Sequence, residues 1–369
     1  MGLEPMKDVV KVLVSPLNLL LIFIPVALAA QLLHWPAVAV FVTAALAVVP
    51  LSGILGDATE ELSVRAGERV GALINATLGN AAELIITLLA LREGLFELVR
   101  ASVVGSIIGN LLLVAGVSVL LGGLKHGTQK FNRRDATMNA TLMLVSAVVL
   151  SVPSLFAVAI EPNHGSVESL SLMTAGVIMV LYLLNLIFGF RNNPKTTHYA
   201  DPGQIPATHT PRLGVGTALV VLAITTVFIA MMSEFLVGAV GPMVAQIGIS
   251  EFVVGIILVP IIGNVAENVV AVDVALKNKM DLAMGIAVGS SLQIALFVAP
   301  LLVFISALFG RVLPLEFNRF EMIALIATCL ISAQVSSDGE TNWLEGAVLL
   351  GLYAILAVAF FYLPVGAVH

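Results

Sequence analysis

Gly79-Asn80-Ala81-Ala82-Glu83 and Gly263-Asn264-Val265-Ala266-Glu267 are two copies of one short phrase, each set in a long apolar run, 184 positions apart. A second matched pair, Gly105-Ser106 and Gly289-Ser290, follows 23 residues beyond each glutamate at the same offset. An ionised carboxylate at the centre of a bilayer costs about 3 kcal/mol on insertion scales. A chain that carries this cost twice, at related positions, uses the two carboxylates together. Neither apolar stretch holds a Lys or Arg near its glutamate, so local ion pairing does not explain them.

The surrounding composition fits a membrane. Charged residues are 11% of the 369, against about 25% in ordinary soluble domains, and the mean hydropathy is +1.07. The expected fold is an all-α polytopic membrane protein. Apolar runs of about 20 residues between charged or Pro/Gly-marked breaks predict eleven transmembrane helices, near 17–33, 36–56, 70–91, 98–122, 136–160, 168–190, 212–240, 250–276, 281–309, 318–337 and 341–363. Lys7 and Lys11 before the first run mimic a signal peptide, but with ten further spans it reads as an uncleaved helix. With the N-terminus cytoplasmic, inner segments hold thirteen of the 17 Lys and Arg, and outer segments hold only Arg92, Arg100, Arg311 and Arg319. The positive-inside rule then places the C-terminus outside. A formal net charge of −6, with no basic patch interleaved with aromatics, argues against a nucleic-acid partner.

The matched blocks divide the chain. Residues 1–34 form an N-terminal segment with the first helix, 35–190 a first five-helix repeat, 191–211 a cytoplasmic linker, 212–363 a second five-helix repeat, and 364–369 a tail. Five is odd, so the halves enter the membrane with opposite orientation. Such inverted repeats place substrate sites near the midplane where the halves meet. Asp57-Ala58-Thr59-Glu60-Glu61-Leu62-Ser63-Val64-Arg65 is too polar to span, and an interfacial amphipathic helix is expected there. Ser233-Glu234-Phe235-Leu236 is a looser counterpart; these acids are either a solvated face or a lure for cations.

On a helix, Asn80 and Glu83 are three apart, as are Asn264 and Glu267, so each pair shares a face. Gly79 and Gly263 permit close helix contact and a local break that turns carbonyls toward a cavity. Pro260 frees a further acceptor. On the next helix of each half, Ser106 and Asn110, then Ser290 and Gln293, add polar groups. If the halves meet, the cage is all oxygen and suits a hard cation; calcium takes 6–8 oxygens in flexible geometry. Two bare carboxylates in low dielectric are costly, whereas two glutamates holding one divalent ion or two protons are neutral. Alternation between those loaded states is obligatory exchange.

The other polar residues carry less. The six histidines fall in loops, ends or the first tight turn, Asp273 has Lys277 and Lys279 beside it, and Cys329 reads as a small buried apolar residue. Gly105, Gly109 and Gly116 read as helix-packing positions. The chain has no nucleotide-binding glycine loop with its Lys and no segment the size of an ATPase domain, so energy must come from a gradient. An enzyme is not expected, nor a permanently bound cofactor; Ca2+ is substrate.

The run Gly71-Ala72-Leu73-Ile74-Asn75-Ala76-Thr77-Leu78-Gly79-Asn80-Ala81-Ala82-Glu83-Leu84-Ile85-Ile86, the phrase Gly285 to Phe297 and the stretch Ala275 to Asp281 resemble the calcium/proton antiporters, the CAX family of the cation/calcium exchanger superfamily. The resemblance covers essentially the whole chain after the first helix. It implies two inverted five-helix halves, a core bundle and two long tilted gating helices that slide. It also implies Glu83 and Glu267 as shared cation and proton ligands, with Asn80, Asn264, Ser106, Ser290 and Gln293 completing or supporting the site and Asn110 in a matching polar position. Many members carry a histidine directly after the second-repeat glutamate; here it is Asn268. The linker has only Asp201 as an acid, and the short N-terminus suits a prokaryotic cell membrane, or a vacuolar-type membrane in a eukaryote. The expected activity is export of cytosolic Ca2+ against H+. A Na+/Ca2+ exchanger of the same superfamily and a divalent cation channel are the alternatives. Choice among Ca2+, Mn2+ and other divalents, proton stoichiometry and any homo-oligomer stay open.

Overall fold

The computed structural model describes residues 16–160, 164–192 and 213–363. Lys7, Lys11, the tail 364–369 and nearly all of the linker 191–211, with His198, His209 and Asp201, lie outside the described residues.

A short turn of 3-10 helix, Pro16–Ile22, leads into α1 (Phe23–Leu32). His34 takes a φ of 53° and Pro36 precedes the next helix, so the reversal after α1 is tight. Then follow α2 (Ala37–Ala66), α3 (Glu68–Leu78), α4 (Ala81–Arg92), α5 (Phe96–His126), α6 (Arg133–Ile160) and α7 (His164–Asn192). The second half holds α8 (Val215–Ile247), α9 (Glu251–Leu276), α10 (Met280–Leu308), α11 (Arg319–Val335) and α12 (Trp343–Phe361). Among the described residues, α2, α5, α6, α7, α8, α9, α10 and α12 are the eight long and apolar enough to cross a membrane. The protein is therefore an all-helical membrane protein. Helix α1 is shorter, α11 has 17 residues, and the run through α3 and α4 is interrupted at Gly79–Asn80.

The interfacial helix expected at Asp57–Arg65 is not separate. Helix α2 runs on through it and stops only at Gly67, whose φ of 81° is open to glycine without strain. Ala58, Thr59 and Leu62 bury one face of this extension, which is why it stays helical rather than lying apart. Likewise Ser233–Leu236 lies in the body of α8, with Ser233 buried and Glu234 exposed.

At 30 and 33 residues, α2 and α8 are about 45 and 50 Å long, well over the roughly 30 Å of a hydrocarbon core. They pack along one another, and α2 also lies on α9 while α8 lies on α4. Helices α5 and α10 are enclosed on most sides, with Ile107, Leu111 and Leu112 fully buried, whereas α8 and α12 keep broad apolar faces exposed.

Three helices contain a turn of π-helix: Gly109–Val114 in α5, Val254–Leu258 in α9 and Ile294–Val298 in α10. Pro260 and Pro300 each lie two residues beyond such a turn. Proline has no N–H, so the carbonyl four residues earlier loses its partner and the helix widens there. At one end of the bundle, β1 (Gln129–Lys130) pairs antiparallel with β2 (Glu340–Thr341), tying a loop of each half together. Lys130 and Glu340 add an ion pair at 2.7 Å.

Candidate functional site

The break at Gly79–Asn80 restarts the helix at Ala81, so Glu83 occupies the first turn of α4. There the unpaired N–H groups of a helix start face a negative charge. Glu83 is 1% exposed. Its Oε1 accepts a hydrogen bond from Ser106 Oγ of α5, and its Oε2 accepts one from Asn264 Nδ2 of α9 at 3.3 Å. Thus the asparagine of one phrase serves the glutamate of the other.

Glu267 is placed differently. The break expected at Gly263 is absent: α9 is regular from Val259 to Leu276, because the π turn before Pro260 has already absorbed the defect. Glu267 sits mid-helix and keeps part of its surface accessible. Ser290 lies beside its carboxylate, but the Ser290 hydroxyl is also 3.2 Å from Asn80 Oδ1, and its single hydrogen can serve only one of them. Asn80 in turn donates from Nδ2 to Gln293 Oε1 at 2.7 Å. Asn80 therefore does not bond Glu83, despite sharing its phrase.

The glycines explain the crossing. A Cβ on Gly79 would lie 3.7 Å from Glu267 Oε1, and one on Gly263 would lie 3.3 Å from Glu83 Cβ. Each glycine faces the other half's glutamate. The two carboxylates are close enough to repel. Among the described residues neither pairs with a Lys or Arg, and no three His, Cys, Asp or Glu gather into a metal cluster. The site thus offers two carboxylates with amide and hydroxyl oxygens around them, a donor set for a hard cation.

Of the sequence-derived residues, Glu83, Ser106 and Asn264 form one bonded group, and Asn80, Ser290 and Gln293 another that reaches Glu267. Asn110 is buried within the π turn of α5, and its Nδ2 meets no acceptor among the described residues. It is not brought into the glutamate groups. Asp273 pairs with Lys277 at 2.6 Å, Cys329 is buried, and Thr77 bonds back to its own helix at Leu73 O, 2.8 Å. The sequence reading missed the contact of Gly105 with the carbonyl of Ile256, which holds α5 against α9. Gly105 stood out in the sequence, but its partner did not.

The helical frame and the paired carboxylates define a membrane protein with an acidic site enclosed among its helices. The sodium/calcium exchanger protein family matches residues 36–191 and again 217–362, and the chain belongs to that family. It is 40% identical over 362 residues to the Ca(2+)/H(+) antiporter of Aphanothece halophytica, covering 94% of this chain and 96% of that protein. It is 41% identical over 341 residues to the Ca(2+)/H(+) antiporter ChaA of Bacillus subtilis, covering 92% and 97%. The solved structure of native YfkE superposes with a TM-score of 0.82 at 39% identity, over 94% of this chain and 100% of that one.

Proposed function

We propose that the protein exchanges cytosolic Ca2+ for H+ by alternating access, with Glu83 and Glu267 binding either the cation or protons. The observation that carries this reading is two carboxylates, one from each half, sunk among neutral oxygen donors with no base in reach. Loaded with one divalent ion, or with two protons, the pair is neutral and can cross the membrane's low-dielectric interior; bare, it cannot cheaply do so. Exchange is then obligatory, with up to two protons per ion from these acids.

The finer architecture belongs to the same proposal. Eleven spans, counting α3 with α4 as one, give a first helix and two inverted five-helix halves, 35–190 and 212–363. Support comes from the repeated offset, from a family match that falls in two segments, and from π turns at related places in α5 and α10. The positive-inside count favours a cytoplasmic N-terminus and an outer C-terminus. In that frame the segment before Glu83, where Leu73 and Thr77 are exposed, and the stretch Val265–Val270 around Glu267, partly accessible with Val269 exposed, both lie on the cytoplasmic side. Ile86, Thr87 and Ala90 beyond Glu83 are buried, as are Val259 and Ile262 to Asn264 before Glu267. This supports a conformer open to the cytoplasm. The paired α2 and α8, each lying on a site helix, are the elements whose movement would reverse it.

The test is Ca2+ uptake into proteoliposomes made acidic inside, without sodium and at zero potential. Uptake that collapses when the pH gradient is dissipated supports proton coupling. Uptake driven only by an outward sodium gradient would replace it with sodium coupling.

A further inference from the structure

Two neighbouring acceptor oxygens on α9 stand without a donor among the described residues: Glu267 Oε2 and Asn268 Oδ1. Both atoms are shielded from solvent, although their residues keep some accessible surface. Leaving a desolvated acceptor unpaired is unfavourable, and two acceptors in a row call for a cation or an incoming donor. Glu83 differs, since both its oxygens already accept hydrogen bonds.

Glu267 and Asn268 lie i+3 and i+4 from Asn264, so each shares a face of α9 with it, and the two flank that asparagine about 100° apart around the helix. The Asn264 amide reaches Glu83, which shows that this face looks into the site. Asn268 lies one turn, about 5.4 Å, further along that face toward Lys277. That is the accessible end of the helix: Val265 to Asn268 are partly accessible and Val269 is exposed, while Ile262, Gly263 and Asn264 are buried.

We propose that Glu267 Oε2 and Asn268 Oδ1 form a loading half-site for a hard divalent cation, filled from the accessible face before the ion is shared with Glu83. One anionic and one neutral oxygen, the rest of the shell being water, is a donor set that calcium accepts readily. Asn268 is thus a further ligand. It sets how tightly the ion is captured, while Glu83 and Glu267 set whether exchange occurs. The inference rests on the exchange function proposed above.

The experiment uses the full chain in detergent and in proteoliposomes, with Ca2+ itself as probe. Asn268→Ala should weaken equilibrium binding of radiolabelled Ca2+ about tenfold and raise the Ca2+ KM of exchange in parallel, with the maximal rate falling less than about twofold. Asn268→Asp, which keeps an oxygen at that place, should restore tight binding. If Asn268→Ala fails to fold, Asn268→Ser, which retracts the oxygen, is measured in its place with the same expectation. Wild-type Ca2+ affinity in a folded Ala or Ser variant would overturn the loading half-site and leave exchange standing. A parallel loss of maximal rate at unchanged KM would overturn it too, by showing a structural role. A wild-type protein that neither binds nor exchanges Ca2+ would instead overturn the exchange function itself.

Discussion

Gly105 and Gly109 sit one turn apart on α5, and the structure assigns them opposite tolerance. A Cβ at Gly105 would lie 2.1 Å from the carbonyl oxygen of Ile256 and 2.7 Å from its C and Cα, all backbone of α9. Restoring ordinary contact requires the helices to part by roughly 1.3 Å. No rotamer change relieves this, because the obstacle is main chain. Overpacking of this kind costs about 1–3 kcal/mol, and a backbone clash so deep belongs at the upper end. The gain in helix propensity from Gly to Ala, about 0.5–1 kcal/mol, offsets only part of it. The parting also acts on function. Ser106, the next residue, holds Glu83 from α5, and Asn264 holds it from α9 at 3.3 Å, so a shift near 1 Å breaks the second bond. At Gly109 nothing lies within 4 Å of an added Cβ. Gly105→Ala should therefore lower the apparent unfolding temperature in detergent and raise the Ca2+ KM of exchange, while Gly109→Ala leaves both near wild type. Thermal unfolding and proteoliposome transport of the two variants side by side give the answer. Equal behaviour of the pair, or greater damage from Gly109→Ala, would refute the packing argument.

Glu83→Gln and Glu267→Gln should each abolish exchange while the protein still folds, and full transport in either, measured in proteoliposomes, would sink the shared site. Ser106→Ala removes one of the two donors to Glu83; a hydrogen bond to a charged group is worth about 1.5–3 kcal/mol, so Ca2+ KM should change at least about tenfold, and an unchanged KM would show the bond to be idle. Glu340 raises the pKa of exposed Lys130, first by hydrogen bonding and then by charge. A raised lysine pKa contributes stability that is complete below the unfolded value and is lost only as pH rises through the folded one, so unfolding curves of wild type and Lys130→Ala should keep a constant separation between pH 6 and 9. A separation that shrinks across that range would contradict the assignment.

The membrane class was legible in the apolar runs, and the two glutamates stood out because a carboxylate in an apolar run is expensive and a repeated phrase is hard to produce otherwise. Asn264, Ser106, Ser290 and Gln293 stood out as polar residues in apolar runs, and the structure buries all four. Which residue serves which was not legible. Asn80 shares a phrase with Glu83 yet bonds Gln293, and Glu83 takes its amide from Asn264 of the other half. Such exchange of partners depends on how two helices cross, which spacing along one chain does not encode. The continuation of α2 to Ala66 was missed because acidic composition was read as interfacial, although nothing before Gly67 ends that helix. The β1–β2 pairing was invisible, since two residues on each side show no periodicity. The π turns in α9 and α10 had a readable cue in Pro260 and Pro300, but the one in α5 contains no proline and had none.

One phrase thus yields two local structures, and the reason lies just upstream. In the second half Pro260 removes a donor, the helix widens over Val254–Leu258, and by Gly263 it is regular again. In the first half the corresponding position is Ala76, α3 is regular up to Leu78, and the interruption falls at Gly79–Asn80 itself. Glu83 consequently gains a helix start, a serine and an asparagine, while Glu267 gains neither the helix start nor a partner for Oε2. Under the loading half-site proposed above, a cation arriving from the accessible side would meet the less satisfied carboxylate first and the enclosed one second. Matched phrases therefore do not make matched local structures: each glycine faces the other phrase's glutamate, but the helix restarts only beside Glu83, and Glu267 keeps an oxygen without a donor among the described residues.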